Sequence, residues 1–117
     1  MGLSLVAGAT LRKMKHPLDS RQLLVFLTVV RRQSFTLAAR ELHLTQSAIS
    51  HSMRALEADV GCRLVDRSGR RVQLTEQGGR FYERAERILV EMEQARAELG
   101  ESDRAVGIAL VQAPHAG

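Results

Sequence analysis

Phe81, Ala85, Ile88, Met92, Ala95 and Leu99 follow one another at spacings of 4, 3, 4, 3 and 4 residues. That rhythm puts all six on one stripe of a helix, the seam of a heptad repeat. Tyr82 and Leu89 widen the stripe, and the positions around it are rich in Glu and Arg. Thr75 is placed to cap such a helix and Gly100 to end it. The predicted linker helix therefore spans 75–99, roughly 36 Å at 1.5 Å per residue. The 74 residues before it make too small a core to cover so long a stripe. A second copy of the chain is the expected cover, with the six seam residues as dimerisation contacts. The other arrangement open to this helix is packing along its own domain.

Upstream, the punctuation is tight. His16-Pro17 closes a leader, and Asp19 or Ser20 caps a first helix over 20–31, with Leu23, Leu24, Phe26, Leu27 and Val30 as its expected buried stripe. Ser34 caps a short helix over 35–42, whose Ala38 and Ala39 permit close approach of a neighbour. His43-Leu44 make the turn. Thr45 caps a third helix over 46–60, stopped by Gly61. Its inward set is Ile49, Met53 (or Ser52), Leu56 and Val60, and its outward face carries Gln46, Ser47, Ser50, His51 and Arg54. Residues 63–66 and 71–74 alternate around Ser68-Gly69 and read as a small β-hairpin with a basic tip. The predicted fold class is mainly α: a winged helix-turn-helix over 18–74, then a long dimerisation helix. Residues 1–17 read as a disordered leader, in which Met14 is an alternative start. Residues 100–117 read as a flexible tail in which Val106, Ile108 and Leu110 alternate like the start of a strand.

Composition narrows the function. The net charge is +4, but residues 1–74 carry twelve Lys/Arg against five Asp/Glu, and residues 75–117 five against eight. A front at +7 and a back at −3 suit a polyanionic partner for the front alone. Cys62 is the only cysteine, so no disulfide forms within the chain, which fits a reducing cytosol. His16, His43, His51 and His115 lack metal-ligand spacing among themselves or with Cys62. Leu3–Ala9 is apolar, but Arg12, Lys13 and Lys15 follow it rather than precede it, the reverse of a secretory signal. No run is long enough to span a membrane. Neither an acid/base constellation nor a phosphate-binding glycine loop is present, so neither an enzyme nor a cofactor is expected.

The chemistry of a helix-turn-helix explains the residue types. A helix fits the major groove, where base edges are distinguishable. Gln46, Ser47, Ser50, His51 and Arg54 reach from its first turns; Gln pairs bidentately with adenine and Arg with guanine. Ser34, Thr36 and Thr45, at helix N-termini with free amides, suit phosphates. Arg67, Arg70 and Arg71 suit phosphates or a narrow minor groove. The expected partner is double-stranded DNA.

Leu23-Leu24-Val25-Phe26, Ser34-Phe35-Thr36-Leu37-Ala38-Ala39, Leu44-Thr45-Gln46-Ser47-Ala48-Ile49-Ser50, Leu56-Glu57, Gly61-Cys62-Arg63-Leu64 and Leu74-Thr75-Glu76-Gln77-Gly78 together resemble the N-terminal DNA-binding domain of LysR-type transcriptional regulators. The resemblance covers about 80 residues, Leu18–Leu99. It implies a cytoplasmic, nucleoid-associated bacterial regulator on partly palindromic promoter DNA, with the third helix in the major groove, the wing at the minor groove and the long helix paired with another subunit. By position it implies base or phosphate contacts from Gln46, Ser47, Ser50 and Arg54, a backbone contact from Thr36 and a wing contact from Arg67. His51 stands where many members have arginine, Ser47 replaces a frequent proline, and Val65 a frequent phenylalanine. Family members continue into a ligand-sensing domain. This sequence ends at Gly117, so it is expected to lack the effector pocket, as a piece of a longer regulator or as a short one. Two other readings stay open on the residues: a protein-interaction module built on the seam, and a nonspecific architectural DNA binder.

Overall fold

The computed structural model describes the backbone of residues 5–14 and 16–111 and side chains within 8–14 and 16–100. The order is α1 (Leu5–Lys13), α2 (Ser20–Arg32), α3 (Phe35–Leu42), α4 (Gln46–Val60), β1 (Val65–Asp66), β2 (Gln73–Leu74) and α5 (Glu76–Val111). Local chemistry sets most of these boundaries. Asp19 accepts from the Arg21 and Gln22 amides, Ser34 from Leu37, and Thr45 from Ala48. Gln33, His43 and Gly61 end their helices in the left-handed region, with φ of 54°, 57° and 82°. Only the last is a glycine, the residue that takes this conformation without a Cβ penalty.

Helices α2, α3 and α4 pack around Phe26, Val29, Ala38, Ile49 and Leu56. Burying each large aliphatic or aromatic side chain in this core is worth about 1.5–3 kcal/mol. The buried face of α2 differs from the sequence expectation. Val25, Thr28 and Val29 are inside, and Leu24 is 45% exposed. Thr28 tolerates burial because its hydroxyl donates to the Leu24 carbonyl at 2.8 Å, which satisfies it locally.

The wing is shorter than the alternation suggests. Pairing is antiparallel and confined to Val65 with Leu74 and Asp66 with Gln73. Val72 turns into the core, and its amide donates to the Gln33 carbonyl at 3.4 Å instead of extending the ladder. Residues 67–72 form the tip, opened by an Asp66 carboxylate that accepts from the Ser68 amide at 2.9 Å. That bond holds the Asp66 carboxyl below the usual carboxylate range.

Both ends of the chain depart from expectation. Residues expected to be a loose leader contain helix α1; apolar and alanine-type positions outnumber its one glycine, and Arg12 and Lys13 complement its C-terminal dipole. Helix α5 does not stop at Gly100 but runs to Val111. Gly100 takes no positive φ, and a glycine inside a helix costs only about 1 kcal/mol against alanine. The alternating Val106, Ile108 and Leu110 lie on this helical backbone, not on a strand. Residues 1–4 and Lys15 of the leader and 112–117 of the tail lie outside the described residues.

The first turn of α5 is anchored hard against the wing. The Thr75 hydroxyl donates to the Arg63 carbonyl at 2.7 Å, and its oxygen accepts from the Gly78 amide at 2.9 Å. A Cβ on Gly78 would fall 2.0 Å from the Leu64 carbonyl oxygen, whereas one on Gly79 would meet nothing within 4 Å. Phe81 and Tyr82 then close on Phe26, with ring centroids 5.7 and 5.9 Å apart, and Ala85 is fully buried. The seam therefore divides. Phe81 and Ala85, expected as dimer contacts, are taken up by the core of their own chain, because alanine lets α5 lie close to α2. Ile88, Met92 and Leu99 remain 37%, 46% and 71% exposed, and Ala95 is exposed with them.

The two adjacent glycines should behave oppositely. Gly78→Ala is expected to destabilise the chain by about 3 kcal/mol or more, since the clash is with backbone. Gly79→Ala is expected to be neutral or to stabilise by about 0.5–1 kcal/mol. Urea denaturation of both variants checks this; equal effects would contradict the packing of α5 on Leu64.

Candidate nucleic-acid interface

The N-termini of α3 and α4 meet on one side of the helical core, and the wing tip closes beside them. Ser34, Thr36, Gln46, Arg67, Arg70 and Arg71 line a single cleft of about 240 Å³. Ser50, Arg54 and Arg67 line an adjoining one of about 350 Å³, together with Phe35, Glu57 and Arg63. Arg67 belongs to both. Ser47, His51 and Arg54 stand exposed on the outer face of α4, and Ser50 is half-buried. Of the eleven candidate residues, only Thr45, Ser47 and His51 line neither cleft, and all three belong to α4 or its cap.

The candidates are not equivalent in their freedom. Ser34 and Thr45 already spend a lone pair on capping, accepting from Leu37 and Ala48 at 3.0 Å each. Their first role is therefore to start helices, and each retains its hydroxyl hydrogen and a second lone pair. Thr36 donates to the Gln46 Oε1 at 3.1 Å, so these two side chains face outward as a pair. Arg67 stands over Phe35, its guanidinium carbon 3.9 Å from the ring centroid. A cation–π contact of this kind is worth about 0.5–1 kcal/mol at an exposed site, and it leaves the guanidinium edges free to donate. Arg71 Nη1 reaches Gln33 Oε1 at 3.5 Å, while Arg70 is exposed at the tip.

Three residues that position this surface were not singled out by the sequence. Glu57 projects from the far end of α4, and its side chain is only 14% exposed. One carboxylate oxygen accepts from the Leu64 amide at 2.7 Å and the Val65 amide at 3.2 Å. The other lies 3.7 Å from Arg63 Nε. A single side chain thus ties α4 to the first strand of the wing. Gln33 holds the tip just before the second strand: its backbone carbonyl accepts from the Val72 amide and its side-chain Oε1 from Arg71. Phe35 is the platform for Arg67. Beyond its place in the Leu56-Glu57 pair of the family resemblance, the signal for Glu57 was only a charge on a helix whose inward face is apolar.

Basic residues are also sorted. Arg31 and Arg32 are both taken up by Glu41, at 2.6 and 3.0 Å. The bond to Arg31, then that to Arg32, holds the Glu41 carboxyl below its ordinary range. The arginines of the wing tip have no acidic partner among the described residues, so the uncompensated charge faces the same way as the outer face of α4. No group of three potential metal ligands occurs among the described residues. No helix among them is long and apolar enough to cross a membrane.

With this geometry, the chain matches a family model described as bacterial regulatory helix-turn-helix protein, lysR family, over residues 20–79. It is 41% identical over 81 residues to the HTH-type transcriptional regulator CrgA of Neisseria meningitidis, covering 69% of this chain and 27% of that protein. It is 46% identical over 82 residues to the HTH-type transcriptional regulator CfxR of Cupriavidus necator, covering 70% and 26%. The chain thus spans about a quarter of the length of these relatives. Among solved structures it resembles the BenM DBD in complex with catB site 1 DNA, with a TM-score of 0.70 and 33% identity over 73% of this chain and 96% of that one. It also resembles Vibrio fischeri DarR in complex with DNA, with a TM-score of 0.72 and 29% identity over 77% and 31%.

The tie between α4 and the wing is open to test. Glu57→Ala should destabilise the chain by about 3 kcal/mol, because it strands two amides, one of them on fully buried Leu64. Glu57→Gln keeps an acceptor and should cost about 1 kcal/mol. Chemical denaturation distinguishes the two; an alanine variant as stable as its parent would show that Glu57 does not hold the wing.

Proposed function

The chain belongs to the lysR family of bacterial regulatory helix-turn-helix proteins, and from that premise we propose that it is the part of a transcriptional regulator that binds promoter DNA, reading sequence with α4 while the wing grips the backbone. One observation carries this reading. The exposed face of α4, the N-termini of α3 and α4, and the three arginines of the wing tip all open in one direction, held there by Glu57, Gln33 and Phe35. Gln46, Ser47, Ser50, His51 and Arg54 would meet base edges or nearby phosphates in the major groove. Ser34 and Thr45 would donate to phosphates through their hydroxyls and Thr36 through its backbone amide, its hydroxyl hydrogen being spent on Gln46. Arg67, Arg70 and Arg71 would lie along the backbone or in the minor groove. Such a regulator works in the bacterial cytoplasm, on the nucleoid.

The second part of the proposal is a homodimer through the stretch of α5 from Ile88 to Leu99. Ile88, Met92, Ala95 and Leu99 remain exposed after Phe81 and Ala85 have joined the core. Pairing that stretch with a second copy covers it and presents two α4 helices to two half-sites.

A titration of duplex DNA carrying the gene's own upstream region, against a shuffled duplex at two salt concentrations, tests the DNA reading. Preference for the upstream region, with log K falling steeply with log salt, is expected. Equal binding to both duplexes would reduce the chain to a nonspecific binder. No binding at either salt would remove the DNA reading altogether. Sedimentation of Ile88→Glu should give a monomer where the parent gives a dimer; a persisting dimer would place the interface elsewhere.

A further inference from the structure

The bond between Thr36 and Gln46 joins two different helices, and both residues sit in first turns, Thr36 in α3 and Gln46 as the first residue of α4. A glutamine side chain has three rotatable bonds and a head that both donates and accepts. Left alone on an exposed helix end, that head samples many directions and presents donor and acceptor in either order. Such a head can touch a base, but it discriminates poorly, because specificity is a difference between partners. Threonine is suited to fix it. Branching at Cβ makes its χ1 stiff, and its backbone is locked by the Ser34 cap on Leu37.

We propose that Thr36 is a positioning residue for sequence readout: its hydroxyl holds the Gln46 amide in one orientation and so sets the base pair that α4 selects at that point. The proposal rests on the reading of α4 as the DNA-reading helix. With the Thr36 hydroxyl donating, Gln46 Oε1 keeps one lone pair free and Nε2 keeps both hydrogens. That is the pattern that complements adenine, accepting from N6 and donating to N7. Thr36 therefore contributes to specificity without itself touching a base. The wing arginines share the cleft but do not bond to the Gln46 head, so the orientation is set within the helix-turn-helix.

A selection from a random duplex library with the 117-residue chain tests this, run on the parent, Thr36→Val, Thr36→Ser, Gln46→Ala and the Thr36→Val/Gln46→Ala pair. Circular dichroism confirms that each is folded. Gln46→Ala should weaken preference at one base pair of the half-site by about tenfold. Thr36→Val should weaken preference at that same pair by about two- to tenfold, the cost of ordering a flexible side chain on binding, and leave other positions unchanged. Thr36→Ser should restore most of it. In the Gln46→Ala background Thr36→Val should have no further effect at that pair. If Thr36→Val preserves the preference, or weakens all sequences uniformly as loss of a phosphate contact would, the positioning role is overturned while base reading by Gln46 stands. If Gln46→Ala changes no base pair, base reading by Gln46 falls, and the positioning role with it.

Discussion

The carboxylate of Glu57 joins two parts of the molecule that have little else in common. Helix α4 is fixed by its apolar face, and a two-residue-per-strand wing has too few ladder bonds to stand alone. Glu57 accepts from Leu64 and Val65 at the point where the chain leaves α4 and enters β1. A charge-assisted bond to backbone amides is among the stronger polar contacts a protein makes, and this one is largely shielded from water. It converts a floppy basic hairpin into an extension of the helix. Gln33 and the Phe35–Arg67 stack hold the other side of the same hairpin. The arginines of the tip are thereby carried at a set distance from the outer face of α4.

The long helix depends on the same arrangement. Its first turn can approach β1 only because residue 78 has no side chain, and Phe81 and Tyr82 then lock it onto Phe26. Core, wing and the start of α5 form one body. In the proposed dimer this has a geometric consequence: the distal seam of α5 would transmit the spacing between subunits directly to the two DNA-reading faces. The chemistry divides in the same way. Arg31 and Arg32 share the single carboxylate of Glu41, whereas Arg67, Arg70 and Arg71 of the wing tip have no carboxylate partner among the described residues.

Local rules made much of this legible in the sequence. Ser34, Thr45 and Gly61 mark helix ends because capping is decided by a residue and its neighbours two to four positions away. The outward face of α4 follows from periodicity alone. What stayed hidden was decided by distance. Gln33 and Arg71 are 38 residues apart, and no local pattern foretells their meeting. The seam from Phe81 to Leu99 shows where the difficulty lies. Its period is visible, but period does not say what covers each stretch, and α2 takes the first part. Gly100 and the alternating residues after it misled for a related reason, since a helix already anchored by packing tolerates both a glycine and β-branched residues. The leader helix α1 was missed because a nine-residue stretch with a glycine inside does not stand out locally as a helix.

In the proposed function, α4, the N-terminus of α3 and the wing act together as one surface for duplex DNA. The most direct measurement is an amide-resolved NMR titration of the chain with duplex DNA taken from the gene's own upstream region. Perturbed amides are expected to cluster in residues 33–37, 45–54 and 66–72, with residues 88–99 of α5 unaffected. Perturbations centred on residues 88–99, with the wing and the start of α4 silent, would contradict it.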